Sequence, residues 1–182
     1  MKKNNFNYIL MRWILLAFMA LGLSACAKPG SNSLVPEGRL AVSISSVVHY
    51  GKGIGVSEFY VNGRLSGHQY DGWGSSGESC CMSMSMHPPQ PLMVTVKWKT
   101  YRHSFKEERW HEATVPVQFA VPPGDGSGLK VHFLPEHRVE IWYARIGLWD
   151  PKYPGPKYPF DPAPDYIPLP DESPEPQQGK QI

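Results

Sequence analysis

Apolar and polar residues alternate over most of the middle of this 182-residue chain, and that period limits its fold more than any other feature. Leu92, Val94, Val96 and Trp98 occupy every second position of one segment. Side chains two residues apart share a face of a β-strand, so the pattern is typical of a strand with one buried face. The same alternation recurs in segments 40–45, 115–121, 129–134 and 139–144. We therefore predict an all-β protein.

Turn signals between these segments indicate the architecture. Asn62-Gly63 is the strongest short hairpin signal, and other glycine- or proline-rich turns fall at 51–53, 72–74 and 122–126. About seven or eight short strands at this spacing predict a single antiparallel β-sandwich, Ig-like or similar, with a small barrel as the alternative. The only helical signal is a short turn at 106–109.

The N-terminus has the pattern of a targeting segment. An apolar run of 11 residues, Trp13 to Leu23, follows a basic start and ends at Leu23-Ser24-Ala25-Cys26. The run is shorter than the ~20 residues of a spanning helix, and small residues before a cysteine resemble a bacterial lipobox. We predict a signal peptide over 1–25 and a lipid on Cys26, with an uncleaved membrane anchor as the alternative.

Composition divides the rest of the chain into a tether over 26–37, a β-sandwich domain over 38–149 and a Pro-rich tail over 150–182. The tail holds ten of the chain's 19 prolines. That density excludes helix and sheet interiors and favours extended chain. Aromatic residues in its first half indicate packing on the domain, whereas the polar residues from Asp171 onward are typical of a disordered end.

Cleavage of the leader changes the net charge. It removes three of 18 basic residues and none of 16 acidic ones, which leaves a mature charge of −1. No polybasic patch remains, so nucleic acid is not an expected partner. Ala27, rather than an aspartate of the kind that resembles an inner-membrane retention signal, follows Cys26. We predict a periplasmic protein anchored in the outer membrane.

The adjacent cysteines Cys80 and Cys81 leave three interpretations open: buried or half-buried thiols, a vicinal disulfide, or a redox or metal site. Free thiols in an oxidising compartment require an explanation. Neighbouring Cα atoms lie ~3.8 Å apart, less than the usual ~4.4–6.8 Å across a disulfide. A vicinal disulfide would therefore demand a twisted turn rather than a strand.

A soft-ligand motif follows the cysteines. Met82, Met84, Met86 and His87 offer donors that suit copper(I). Alternation places the three methionines on one face of a strand, however, where methionine is more often flexible core filler. We predict core filler and no cofactor besides the lipid. The whole segment 78–98 is predicted to form the central hairpin of the domain.

No motif predicts an enzyme. His111-Glu112 lacks the second histidine of a zinc-protease motif, and the glycine runs match neither a phosphate-binding loop nor a nucleophile elbow. We expect a binding protein whose seven histidines lie mostly on the surface. Aromatic residues on loops often anchor protein contacts, so the loops around Trp73 and Asp125 are the candidate partner-binding sites. Trp73 and Trp149 are equally compatible with caps at the ends of the fold.

Several motifs resemble those of a family of uncharacterised proteobacterial lipoproteins. They are Tyr60-Val61-Asn62-Gly63, Cys80-Cys81 followed by the strand at 92–98, Val131-His132-Phe133-Leu134-Pro135 and Tyr153-Pro154-Gly155-Pro156. Members of that family are similar to neighbours of type VI secretion phospholipase effectors. The resemblance implies an immunity protein, a membrane-anchored lipoprotein that binds a secreted lipase toxin and blocks it. A structural envelope lipoprotein without a toxin partner and a periplasmic copper-binding protein are the alternatives.

Overall fold

The computed structural model describes residues 36–172, which fold around one core. The strands are β1 (Arg39–His49), β2 (Ile54–Val61), β3 (Arg64–Gln69), β4 (Trp73–Ser75), β5 (Ser79–Ser85), β6 (Met93–Arg102), β7 (Glu107–Phe119), β8 (Leu129–Leu134) and β9 (Arg138–Tyr143). A 3-10 turn at Pro135–His137 is the one helical element in this range. The all-β prediction is confirmed. No helix within 36–172 is long and apolar enough to cross a membrane.

The strands form one mixed sheet that nearly closes into a barrel. Their order is β3-β2-β6-β7-β9-β8-β1-β4, and β5 lies beside β4 along the same edge of β1. β7 joins the two halves of the sheet, because Glu107–Pro116 pair with β6 and Val117–Phe119 pair with β9.

The expected antiparallel sandwich is not what the strands form, since two of the pairings are parallel. Ile44 of β1 pairs with Leu129 of β8, and Val117 of β7 pairs with Ile141 of β9, each in the same direction. The β8–β9 hairpin thus inserts between β1 and β7. Alternation reports which face of a strand is buried but not which neighbour it pairs with or in which direction, so the sequence pattern did not determine this topology.

Of three local predictions, the turn at Asn62-Gly63 is confirmed and the other two are wrong. Asn62 (φ 48°) and Gly63 (φ 77°) connect β2 to β3 in the left-handed conformation that a tight hairpin turn requires, as predicted. The predicted central hairpin at 78–98 is wrong, because β5 pairs with β1 whereas β6 pairs with β2 and β7. The helical turn at 106–109 is also wrong, since Lys106 (φ 50°) belongs to the β6–β7 turn and strand β7 begins at Glu107.

Large aromatic residues fill the barrel. Phe133 of β8 packs edge-on against Phe59 of β2, with ring centroids 5.5 Å apart, and lies 5.6 Å from the Trp98 ring of β6. All three side chains are fully buried. The Trp98 indole N–H donates to the hydroxyl of buried Tyr50 at 3.1 Å, which satisfies its one polar group. The two halves of the sheet therefore share a single core.

The proline-rich segment 150–172, here called the strap, lies on the outer face of β1 and β8. Its Tyr153 is 1% exposed, and its Asp165 forms a bridge with Lys52. All six residues of β8 are buried. On the outer face, His132 contacts Tyr153 of the strap, whereas Lys130 pairs with Glu78. The predicted signal peptide, Cys26, most of the tether and the last ten residues of the tail lie outside the described residues.

Candidate binding surfaces

Trp73, one of the two predicted contact residues, is packed rather than presented. Its indole N–H donates to the main-chain oxygen of Asp161 in the strap at 2.8 Å, and its ring lies edge-on to His49 at 6.3 Å. Trp149 differs, because 63% of it is exposed. Trp73 therefore caps the sheet under the strap, whereas Trp149 remains open to solvent.

Asp125, the other predicted contact residue, lies at the tip of an exposed and well-supported loop. The main-chain N–H groups of Gly124 and Gly126 both donate to the hydroxyl of Tyr143, at 3.0 and 3.2 Å. Arg145 donates to the main-chain oxygen of Asp125 at 3.0 Å and lies 3.4 Å from its carboxylate. These hydrogen bonds support the conformation of the loop. The exposed carboxylate of Asp125 is already paired with Arg145.

Cys80 and Cys81 are joined by a vicinal disulfide. They lie at a β-bulge, because the two cysteines stand opposite the single residue Ser43 of β1. The bulge supplies the local twist that a regular strand would not. Cys80 is exposed, whereas Cys81 is half-buried and lines a cleft of about 230 Å³ together with Gly124, Gly126 and Tyr143. The structure thus brings Cys81 next to the Asp125 loop.

The methionine motif is divided between core and surface. Met84 is 3% exposed and belongs to the core, Met82 packs against that core, and Met86 is 41% exposed. His87 is exposed, and its main-chain N–H donates to the hydroxyl of Ser85 at 3.1 Å. Within residues 36–172, no group of three or more His, Cys, Asp or Glu side chains is arranged to hold a metal ion.

An exposed surface that the sequence analysis missed covers the outer side of β2, β6 and β7. We call it the Trp110 face, and its members are Tyr60, Thr95, Lys97, Lys99, Trp110 and Glu112. Trp110 is 48% exposed, and its ring lies 6.2 Å from that of Tyr60. Both residues help to line a shallow cavity of about 500 Å³. Side chains on strands hold their positions better than side chains on loops do, so this surface is rigid.

Charged groups hold Trp110 in place. The ammonium groups of Lys97 and Lys99 lie 4.9 and 5.3 Å from the centre of its ring, within the range of a cation–π contact. Lys99 also pairs with Glu58 at 2.7 Å, and this hydrogen bond lowers the pKa of the Glu58 carboxyl. Lys97 makes no ion pair within the described residues and is exposed. The Trp110 face therefore offers an immobilised aromatic ring beside an available positive charge.

Alternation along β6 and β7 accounts for this face. Trp98 points into the barrel, so its neighbours Lys97 and Lys99 point out. In the register of the pair, Lys99 stands opposite Trp110 and Lys97 stands opposite Glu112. The sequence analysis began this strand only at 115. Charged residues on both faces of segment 107–112 hide the alternation there, which the structure shows as half-buried and exposed positions from Glu107 onward.

Two histidines, buried His132 and half-buried His49, tie the strap to β1 and β8. His132 is fully buried; its Nδ1 lies 3.1 Å from His49 Nε2, and its Nε2 lies 2.8 Å from the hydroxyl of Tyr153. Burial lowers the pKa of His132 to about 3 and that of His49 to about 4. Burial also raises the pKa of Tyr153. All three groups are therefore neutral near pH 7.

The contact of His132 with Tyr153 is one anchor of the strap, and a cluster around Glu172 is the second and fixes its end. The carboxylate of Glu172 accepts hydrogen bonds from the hydroxyl of Tyr166 at 2.7 Å and from the main-chain N–H of Leu169 at 3.0 Å. It also lies 3.2 Å from His137 Nε2 and 4.0 Å from the guanidinium of Arg102. Burial acts to raise the pKa of Glu172, but these hydrogen bonds outweigh it, and the net shift is downward. Each anchor thus pairs a tyrosine of the strap with a histidine of the barrel.

Comparison with known proteins gives one family and no function. Residues 51–141, half of the chain, match the family described as "Protein of unknown function (DUF3304)". The matched segment contains every member of the Trp110 face and ends before the strap. No curated protein and no solved structure matches the chain.

Proposed function

The chain belongs to the DUF3304 family, and we propose that it is a lipid-anchored periplasmic protein that binds and neutralises a type VI secreted phospholipase toxin. The observation that carries a binding function is the Trp110 face. The leader and lipobox support the location, and the resemblance of its motifs to those of lipoproteins near phospholipase effectors supports the choice of partner.

The chemistry of the Trp110 face favours a protein as the partner. Tryptophan and tyrosine are enriched among the residues that carry most of the energy of protein interfaces. Here Trp110 and Tyr60 help to line a cavity large enough to receive an apolar side chain, and Lys97, which also lines it, can pair with a carboxylate. The carboxylate of Glu112 at the same rim suits a basic neighbour. We infer that the toxin presents an apolar side chain flanked by charged groups.

Attachment to a membrane would add to the effect of binding. A phospholipase acts at a lipid surface, so an inhibitor tethered there through Cys26 is concentrated where the toxin must work. Tethering of this kind raises the effective concentration of a binding partner without any new contact. The proposal requires the protein only to bind and to occlude, and it assigns no catalytic step to any of its residues.

Co-expression tests the proposal. The candidate lipase from the same gene neighbourhood is sent to the periplasm of a sensitive host, with and without this protein, and growth and co-purification are measured. Rescue of growth and recovery of a complex are expected. Undiminished toxicity beside well-expressed protein would exclude this lipase as the partner and would leave the structural envelope role and copper(I) binding to be tested next.

The Trp110→Ala variant locates the binding site. Loss of a central aromatic anchor weakens an interface by about 2 kcal/mol or more, which is roughly 30-fold in Kd. Because Trp110 is half exposed, its removal costs less than about 1 kcal/mol of stability. Trp149→Ala is the matched control, since it removes another exposed tryptophan outside this face. Equal affinity in the two variants would show that the toxin binds elsewhere.

A further inference from the structure

The strap and the residue before it carry the most exposed large apolar side chains of the described chain. Trp149, Phe160 and Ile167 are 63%, 72% and 84% exposed. Tyr158 links the first two, since its ring lies 5.9 Å from that of Trp149 and 4.9 Å from that of Phe160. We call Trp149, Tyr158 and Phe160 the aromatic patch. A contiguous exposed patch of this kind marks a surface that contacts a protein or a membrane.

The backbone beneath the patch has few hydrogen-bond donors. Six prolines lie between 150 and 165, and proline has no main-chain N–H. The ammonium group of Lys157 folds back onto the carbonyl oxygens of Pro151 and Tyr153, at 2.8 and 3.0 Å. The carbonyl of Asp161 already accepts from Trp73. Because unsatisfied polar groups make burial in an apolar medium costly, this surface can lose water at low cost.

These features separate the aromatic patch from the Trp110 face. At the Trp110 face, Lys97, Lys99 and Glu58 surround the ring and would have to be desolvated in lipid. In the aromatic patch Trp149 and Phe160 are exposed and Tyr158 is half-buried. Tryptophan and tyrosine are enriched at membrane–water interfaces. The exposed charges next to it balance, because Asp150 and Asp161 are negative whereas Lys152 and Lys157 are positive. The patch is therefore suited to a zwitterionic lipid surface rather than to an anionic one.

The proposed lipid anchor brings this patch within reach of a bilayer. Nine residues, 27–35, lie between Cys26 and Pro36, the first described residue. Fully extended, they span at most about 35 Å, so a lipid on Cys26 would keep the domain close to the membrane surface. We propose that the aromatic patch docks on the zwitterionic phospholipid of the membrane that holds the anchor. This inference rests on the lipidation in the proposed function but is independent of the toxin.

Quenching by brominated phospholipid tests the contact directly. The acylated mature protein is reconstituted in phosphatidylethanolamine–phosphatidylcholine vesicles whose acyl chains carry bromine. We expect its tryptophan fluorescence to be quenched, and Trp149→Phe, which keeps an aromatic ring, to remove most of that quenching. Trp110→Phe is the matched control and keeps it. Absence of quenching in the unsubstituted protein, or quenching that Trp149→Phe leaves unchanged, would overturn the proposal.

A second measurement removes the anchor. A chain from Ala27 to Ile182 retains the whole core, which lies within 36–172, and is floated with the same vesicles. We expect Trp149→Ala/Phe160→Ala to lower its partition at least about fivefold, because two exposed aromatic side chains no longer leave water. Loss of lipase binding in this double variant without loss of vesicle contact would make the patch a protein interface and refute the lipid contact. Failure of vesicle contact alone leaves the lipase proposal standing.

Discussion

Replacing His132 with glutamine tests whether burial of this histidine makes the fold sensitive to acid. His132 is fully buried, and its pKa in the folded protein is lowered to about 3 by burial and by the nearby His49. In the unfolded chain its pKa returns to about 6.5. The unfolded chain therefore binds the extra proton between these values, so the stabilisation is fully present above pH 6.5 and is lost as the pH falls toward 3.

The size of the effect at pH 5.0 follows from the unfolded value. There the folded His132 is still neutral, whereas the unfolded side chain is almost fully protonated. The difference is about 1.5 pH units at 1.36 kcal/mol each, or about 2 kcal/mol. For a chain of this length, that lowers Tm by roughly 4–8 °C. His49 and His111, whose pKa values burial lowers to about 4, act in the same direction. Both remain in the His132→Gln variant, where His49 has glutamine in place of its histidine partner.

The assay is urea unfolding of His132→Gln and of the unsubstituted protein at pH 7.5 and pH 5.0. Glutamine keeps a polar side chain between His49 and Tyr153 but does not titrate, so its loss of stability between the two pH values should be about 2 kcal/mol smaller. His87→Gln, the same exchange at an exposed position, is the control and should not change the loss. An equal loss in His132→Gln and in the unsubstituted protein would refute the argument.

Three further predictions concern the anchors, the loops and the disulfide. Tyr166→Phe removes the 2.7 Å hydrogen bond to buried Glu172 and should lower the free energy of unfolding in urea by about 1.5–3 kcal/mol. Phe160→Leu is the control at an exposed position, and an unchanged urea midpoint in Tyr166→Phe would show that this hydrogen bond does not hold the strap. Gly126→Ala places a methyl group 2.6 Å from the ring of Tyr143 and should cost about 1–3 kcal/mol by the same assay. Gly147→Ala is the control, because that glycine has no positive φ and an added methyl group there meets no atom within 4 Å; equal stability of the two variants would argue against the supported loop. Cys80→Ser/Cys81→Ser should lower the free energy of unfolding by roughly 1 kcal/mol, because the loop closed by the vicinal disulfide is short. An unchanged melting temperature together with lost lipase binding would instead indicate that the disulfide acts in binding.

The sequence was sufficient to predict one turn and most of the strands, but not β4, which lies where a turn was predicted at 72–74, or the first half of β7. A strand with one face in the core has apolar residues at every second position, as Leu92 to Trp98 do, and can be recognised from its own sequence. The Asn62-Gly63 turn depends only on local backbone conformation. Pairing is different, because β1 joins β8 across more than 80 residues and no local pattern encodes that contact. The topology therefore had to come from the structure.

The site residues were harder to predict for the same physical reason. His132 alternates with Val131 and Phe133 as a surface residue would, but the strap covers it with Tyr153, a contact that depends on distant chain. Trp110 lies in a stretch with charged residues on both faces, which hides the alternation. Whether a given tryptophan is buried or exposed depends on what covers its strand, and that information is not local.

The parallel pairing of β1 with β8 has a consequence for the order of folding. Ile44 meets Leu129 only after nearly three-quarters of the chain is available, and β7 meets β9 later still. Sheets built from contacts so distant in sequence fold slowly, and the N-terminal strand has no partner on that edge until the C-terminal hairpin arrives. A chain proposed to cross a membrane before it folds would thus remain in an export-competent state until its last strands had emerged on the far side.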